Sequence, residues 1–526
     1  NQENVFVVGR VDGPNFPIIN GYYSTFSGGG DGFLAKYDSS GVLQWSTYIG
    51  GSMDDWMTGV ETDSNNDVVV AGRTESSDYP IPFPWASSYG GLMDCFVSKF
   101  YSSGALQWST YIGGNNEDVT AKGIGVDLQN NIFIAGRTVS PDFLPISTNA
   151  QGYYEFDAFI TKINSVGDIL WSKRFGGEGF DNAVCMSVDC CGNIAVAGTS
   201  NSPDFPMLNS FQPTTPSGAE PYVAVFNNLG VMQWSTFYGS GPTFTNALEF
   251  DYDGNVIFGG WTLDNAIPLL NEYDANLNGD HDMFIAKFSS IGALQFSTYL
   301  GGPGNDELEG LAIDFDNNIF ITGHGPYGYP MLNAIQDTVV GGADTIVTKF
   351  NNDGVMQWSS YISGGSSSDF VHNIVADRIG HVYIVGQTIS PDFPIINNGQ
   401  IAPINNADGF IVKLHDSLEI TCFTRSIFMG DVHGDSVSFV NTSIGSTYQW
   451  SFGDQDSSTL IAPHHIYSDT GRYDVCLVST DTCDTDTSCC SVYISCTEIP
   501  TPQFSYYRIL NVVTFSDSSL FADDYK

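Results

Sequence analysis

The nine residues LQWSTYIGG stand at 43–51 and return at 106–114. Their tryptophan belongs to a series, Trp45, Trp108, Trp171, Trp234 and Trp358. Phe296 fills the open place, and the steps are 63, 63, 63, 62 and 62 residues. Two more motifs keep the same phase, each in seven copies. One runs from NVFVVGR at residue 4 through DVVVAGRT at 67 to HVYIVGQT at 381, and the other from DGFLAKY at 31 to DGFIVKL at 408. A sustained period of this length means one supersecondary unit stacked on copies of itself, each covering faces its neighbour cannot bury.

Within a unit the pattern is strand-like. Between residues 123 and 177, GIGVD, IFIAGRT, AFITKI and ILWSKRFGG are separated by Asn, Asp, Gly and Pro turns. The runs are β-branched and aromatic and show no helical period. Four strands per unit and seven units predict a β-propeller, the radial answer to exposed sheet edges. A β-solenoid is the competing architecture, but its repeats usually run about 20–45 residues.

The pattern GRTxSxDFP…DxFxxKxxxxGxLQWSTYxGG resembles the bacterial seven-bladed propeller repeat family called SBBP, over residues 1–423. The first copy lacks its GVxxD run, which the resemblance makes the innermost strand. Either upstream sequence supplies that strand or the ring closes imperfectly, and a truncated start is the favoured reading. After 423 the rhythm changes. Phe439, Asn441, Ser443, Tyr448, Trp450, the Phe452-Gly453-Asp454 turn, Pro463, His465, Tyr467, Gly471, Tyr473 and Val475 resemble a PKD-type domain, an immunoglobulin-like β-sandwich, over 424–498. That family's usual glycine after Asp454 is Gln455 here. Residues 499–526 echo its opening, with Phe515 matching Phe439, and read as the start of a second such module. The expected class is therefore all-β: a seven-bladed β-propeller, an immunoglobulin-like β-sandwich and the beginning of another.

The chain carries a net charge of −42 with only 17 Lys and Arg among 526 residues, so it repels nucleic acid and anionic membranes and attracts divalent cations. No apolar run approaches the roughly 18 residues of a membrane helix. Six of ten cysteines (Cys422, Cys476, Cys483, Cys489, Cys490, Cys496) crowd the second domain, which reads as disulfides of an oxidising compartment. Cys483 with Cys489 or Cys490 would staple a hairpin there. Cys190-Cys191 read as turn cysteines, one of them facing Cys185.

No HExxH, GxSxG or Walker loop occurs in the sequence, and no unmatched cluster of acids or histidines breaks the repeat on one face. The calcium candidates are two. Asp55, Asp118, Asp181, Asp306 and Asp369 recur in phase, and in a propeller they would ring one mouth of the channel. The alternative has each Asp capping its own turn. Asp274, Asn276, Asn278, Asp280 and Asp282 follow the order of a calcium loop but lack the acidic twelfth position, where Ile285 stands. The turns DSNND, DYDGN and DFDNN read as hairpin turns. The phased Lys36, Lys99, Lys162, Lys287, Lys349 and Lys413 read as inter-strand partners of the phased acids. His464 and His465 read as structural.

Both resemblances imply a secreted or cell-surface bacterial protein, of the Bacteroidota type. The first functional reading is a non-catalytic structural or adhesion protein that pairs with other surface proteins or with copies of itself, as in a filament. The alternative is a glycan-binding or polysaccharide-degrading protein. Calcium is the one cofactor suggested, and no membrane insertion is expected of this segment.

Overall fold

The computed structural model describes residues 4–81, 89–143, 155–189, 191–214, 218–263, 265, 267–339, 341–365, 368–377, 380–394, 407–415, 426, 428–441, 443, 445–481, 485–494, 504–509 and 512–517. Every regular element among them is a strand, as the apolar alternation predicts. The chain divides into two units, Asn1–Leu418 and Glu419–Lys526; the sequence boundary at 423 falls outside the described residues.

Seven antiparallel sheets follow one another in the first unit. Sheets 2, 4, 5 and 6 have four strands paired in chain order. In sheet 3 the first strand is broken into Asp118–Thr120 and Gly125–Val126. Sheet 1 has three strands and begins at Val5–Val11, as the missing GVxxD run implies, and sheet 7 shows three strands among the described residues. The ends of the first strands line one cavity of about 560 Å³, contributed by residues such as Phe6, Glu61, Val188, Phe250, Ile313 and Val375 of sheets 1, 2, 4, 5, 6 and 7.

The sheets bury both faces. Asp94–Phe100 is buried at every position, and so is Asp157–Ile163. Core clusters therefore lie between consecutive sheets. Val69, Val97 and Trp108 of sheet 2 meet Ile124, Ile134 and Phe159 of sheet 3. Close apolar packing of this kind leaves little room for a changed side chain.

Three of the phased tryptophans close their seams on the outer side with a hydrogen bond. Trp45 donates Nε1–H to the Ser102 carbonyl of the next sheet at 3.1 Å, Trp108 to Ser165 at 3.2 Å, and Trp234 to Ser290 at 3.1 Å. Each ring lies over a hairpin glycine of that next sheet. A Cβ on Gly104 would sit 2.9 Å from Trp45, and one on Gly167 3.2 Å from Trp108. These glycines also have φ of +90° and +101°, where a side chain is strained. Phe296 packs on Gly354 in the same way without an indole donor.

In the second unit a three-stranded sheet (Phe428–His433, Ser436–Asn441, His464–Ile466) and a four-stranded sheet (Ser457–Ser458, Thr447–Ser451, Gly471–Thr480, Thr485–Ile494) form the sandwich. Trp450 is fully buried among Phe428, Phe439 and Phe452 and donates Nε1–H to the Leu460 carbonyl at 2.8 Å. The described disulfide joins Cys476 to Cys489 across paired strands. The pairing of Cys489 with Cys483 is thus corrected, since Cys489 stands directly opposite Cys476; Cys483 itself lies outside the described residues. Phe504–Ile509 and Val512–Asp517 form an antiparallel hairpin where the second module was expected to begin.

Gln455 occupies the left-handed region with φ +81°, where a Cβ costs about 1–2 kcal/mol. Gln455→Gly should therefore raise the stability of the second unit by about 1 kcal/mol, read as a higher denaturation midpoint of the fluorescence of buried Trp450. A lower midpoint would contradict the strain.

Candidate functional site

The phased aspartates sit in the seams between sheets: Asp55, Asp118, Asp181 and Asp369 are the first residues of inner strands, and Asp306 stands just before one. The Asp55 N–H bonds to the Gly30 carbonyl of the preceding sheet at 2.8 Å. Asp118 does the same to Met93, Asp181 to Phe156, Asp306 to His281 and Asp369 to Ala343. All five side chains are fully buried, and none is among the residues lining the central cavity. One carboxylate oxygen closes the tight turn just upstream. It accepts from Gly51 (2.7 Å), Gly114 (2.7 Å), Gly177 (2.7 Å), Gly302 (2.8 Å) and Gly364 (2.7 Å) respectively. Ser76, Ser140, Ser202 and Ser390 hydroxyls donate to Asp55, Asp118, Asp181 and Asp369. Among the described residues no three of the five converge closely enough to share one ion.

The structure brings four of the five to a second acid, which opens the strand of the preceding sheet that carries the DGFLAKY-type motif. Asp31 faces Asp55, Asp94 faces Asp118, Asp157 faces Asp181 and Asp282 faces Asp306, each felt electrostatically by its partner. Burial chiefly, and then this repulsion, pushes Asp55, Asp94 and Asp157 up to about 6 and Asp306 to about 7. Burial also lifts Asp118 to about 6, and raises Asp181 and Asp31. Hydrogen bonds from the Thr74 and Thr138 side chains moderate the shifts of Asp55 and Asp118.

The loop at 274–282 spends its oxygens on itself. Asn276 N–H and Asn278 Nδ2–H donate to Asp274 (2.9 and 2.7 Å), and the Asn278 and Gly279 amides donate to Asp282 (2.6 and 3.2 Å). Asp280 and Asn276 are exposed. Asp274, Asp280 and Asp282 do not converge; among the described residues the convergent group of three is Asp454, Asp456 and His465. There His465 Nε2 lies 2.6 Å from Asp454 and the ring stacks on Phe452, while His464 is exposed.

The phased lysines pair with a different acid series from the Asp55 series. Lys99 meets Asp63 at 2.7 Å, Lys162 meets Asp127 at 3.2 Å, and Lys287 meets Asp251 at 2.7 Å, all buried. The same acids cap hairpin turns such as DSNND, where Asp63 accepts from the Asn65 and Asp67 amides. Cys185 is a free buried thiol that burial pushes up to about 12. Cys191 is disulfide-bonded, and Cys190 lies outside the described residues.

Repeat-breaking ionisable groups do gather, on the central cavity and the inner strands. The Ser187 hydroxyl donates to Glu249 at 2.7 Å, and burial with the neighbouring charge of Glu61 pushes Glu249 up to about 8. Lys122 of sheet 3 reaches Glu309 of sheet 6 at 2.9 Å. His372 lies in their field and is held low by burial. Glu309 and His372 are the extra residues of β-bulges, as are Thr58, Val184 and Asn246 at the same phase. A bulge re-aims its side chain. Comparing the residue five places before each of Asp63, Asp127, Asp189, Asp251, Asp314 and Asp377 would have exposed this layer, because only Lys122, Glu309 and His372 are ionisable there.

Residues 107–143, 295–325 and 357–394 match the SBBP family, described as a beta-propeller repeat, and 434–496 match the PKD domain family. The chain carries SBBP-type propeller repeats followed by a PKD domain. The regulatory protein FlaEY of Caulobacter vibrioides is 25% identical over 369 residues, 66% of this chain and 37% of that protein. An uncharacterised WD repeat-containing protein of Acanthamoeba polyphaga mimivirus is 22% identical over 480 residues, 75% of this chain and 34% of that protein. The chain thus spans little more than a third of the length of these relatives. The PKD1 domain of the Vibrio cholerae metalloprotease PrtV is 35% identical over 13% of this chain and 93% of that domain, with a TM-score of 0.13.

The buried acids set a pH dependence. Their folded pKa lies above the unfolded value, so the stability they contribute is full below about pH 4 and is lost as pH rises through 6–7. His324 and His372, lowered by burial, oppose this. In chelator, the melting temperature should fall from pH 5.5 to pH 8, and Asp306→Asn should flatten that fall. A wild-type melting temperature that rises over this range would refute the assignment.

Proposed function

We propose that this chain is a non-catalytic protein of the bacterial exterior, in which the propeller is a head for surface attachment or assembly and the PKD domain belongs to its stalk. One observation carries the reading: the recurring charged residues spend their bonds on the framework. The Asp55 series closes turns and the lysines neutralise buried Asp63, Asp127 and Asp251. The disulfide of the second unit supports an oxidising compartment.

A second reading has its own observation. Glu61 and Glu249 form an acid pair, both raised by burial, at a central cavity large enough for a sugar ring, and paired carboxylates are the chemistry of glycan cleavage.

The two separate experimentally. Labelled full-length chain is applied to intact cells and to a glycan array, with a parallel assay for released reducing ends. Attachment to cells that is equal for wild type and Glu249→Gln, with no sugar release, is the expected result. Reducing ends that disappear with Glu249→Gln would replace the first reading by the second.

A further inference from the structure

The first two seams each hold two fully buried carboxylates around a glycine-sized gap. A Cβ placed on Gly50 would lie 2.7 Å from Asp31 Oδ1 and 2.9 Å from Asp55 Oδ2. One on Gly113 would lie 2.5 Å from Asp94 Oδ1 and 3.0 Å from Asp118 Oδ2. The second oxygens of the upstream acids are tied to backbone: Asp31 Oδ2 accepts from Ser27 at 2.7 Å, and Asp94 Oδ2 from Gly90 at 2.9 Å. Their Oδ1 atoms are buried, directed into the gap, and accept no hydrogen bond. A buried charged oxygen without a partner is expensive, and two acids in one dry gap are more so.

The third seam differs in carrying a cation. Arg174 stands at the place occupied by Tyr48 and Tyr111 in the first two repeats. Its guanidinium bonds Oδ2 of Asp157, the counterpart of Asp31 and Asp94, and so brings a positive charge beside that acid, while Asp157 Oδ1 accepts no hydrogen bond, as in the first two seams. It also bonds the Ser140 carbonyl, while Tyr111 hydroxyl bonds the equivalent Ser76 carbonyl. One seam therefore carries a built-in cation where the other two carry a tyrosine. In the fourth seam the downstream acid is replaced by Thr243, whose hydroxyl meets Thr262 at 2.8 Å.

We propose that the Asp31/Asp55 and Asp94/Asp118 seams each bind one hard divalent cation, calcium, which joins consecutive blades near the place where the third seam carries the charge of Arg174. Oxygen-only donors, full burial and two formal charges suit calcium, whose remaining ligands would come from backbone carbonyls and water. The site depends on the fold alone and not on the proposed attachment role.

The test is calorimetric titration of chelator-treated full-length chain with calcium chloride, alongside thermal unfolding. Two ions should bind, and the melting temperature should rise with calcium. Tyr111→Arg transplants the built-in cation next to Asp94; it should fold, bind one ion instead of two, and lose part of the calcium response. Asp31→Asn should likewise remove one ion. Circular dichroism checks folding of both variants, and terbium luminescence on wild type reads the same sites without any substitution. The proposal fails if wild type binds neither calcium nor terbium. It also fails if Tyr111→Arg, folded, still binds two ions, or if Asp31→Asn stabilises the chelated chain and leaves calcium binding unchanged, the signature of a shared proton.

Discussion

The structure of the first unit depends on what happens between sheets. A four-stranded blade has two apolar faces and cannot cover either by itself. The first five seams are closed at the outer side by an aromatic ring laid on the next sheet's hairpin glycine, as Trp108 lies on Gly167 and Phe296 on Gly354. At the inner strand's start five seams are closed by a backbone hydrogen bond from the phased aspartate, as Asp118 bonds Met93. Between these two points the core clusters draw on both sheets. Fixing both points leaves little freedom in the register of neighbouring sheets.

That arrangement explains why so acidic a chain can bury so many charges. One acid series is neutralised by lysine across strands, at a cost of about 3–5 kcal/mol if a single partner were removed. The other is held by amides and hydroxyls and keeps its carboxyls far above their usual range. The charge pattern is thus a property of the repeat. The departures from it, Lys122, Glu309, His372, Glu61 and Glu249, collect toward the axis, where inner strands of different blades meet.

Much of this was legible in the sequence, and for definite reasons. Apolar alternation and turn residues set the strands, and the tryptophan phase set the unit. The missing GVxxD run set the three-stranded first sheet. Phase, however, locates a residue along its strand without saying which neighbour it meets. Asp55 was legible as recurring, yet its partner Asp31 lies in the preceding blade, in a motif read separately. The lysines were legible as ion-pair partners, but their acids are the turn-capping Asp63 series. The bulges that aim Glu309 and His372 are events of backbone register and leave no residue-type signature. Likewise the cysteine spacing left Cys489 open to several partners, and strand register placed it opposite Cys476.

The central claim, that the phased aromatic of one blade and the hairpin glycine of the next form one packing unit, is tested most directly by a double-mutant cycle in chemical denaturation. Trp108→Ala and Gly167→Ala are measured singly and together, with Trp108→Ala and Gly230→Ala as the control two blades on. Removing the indole removes the clash a Cβ at 167 would make, so the first pair should couple by about 0.5–3 kcal/mol and the control should be additive within about 0.5 kcal/mol. Additivity in both pairs would contradict the account.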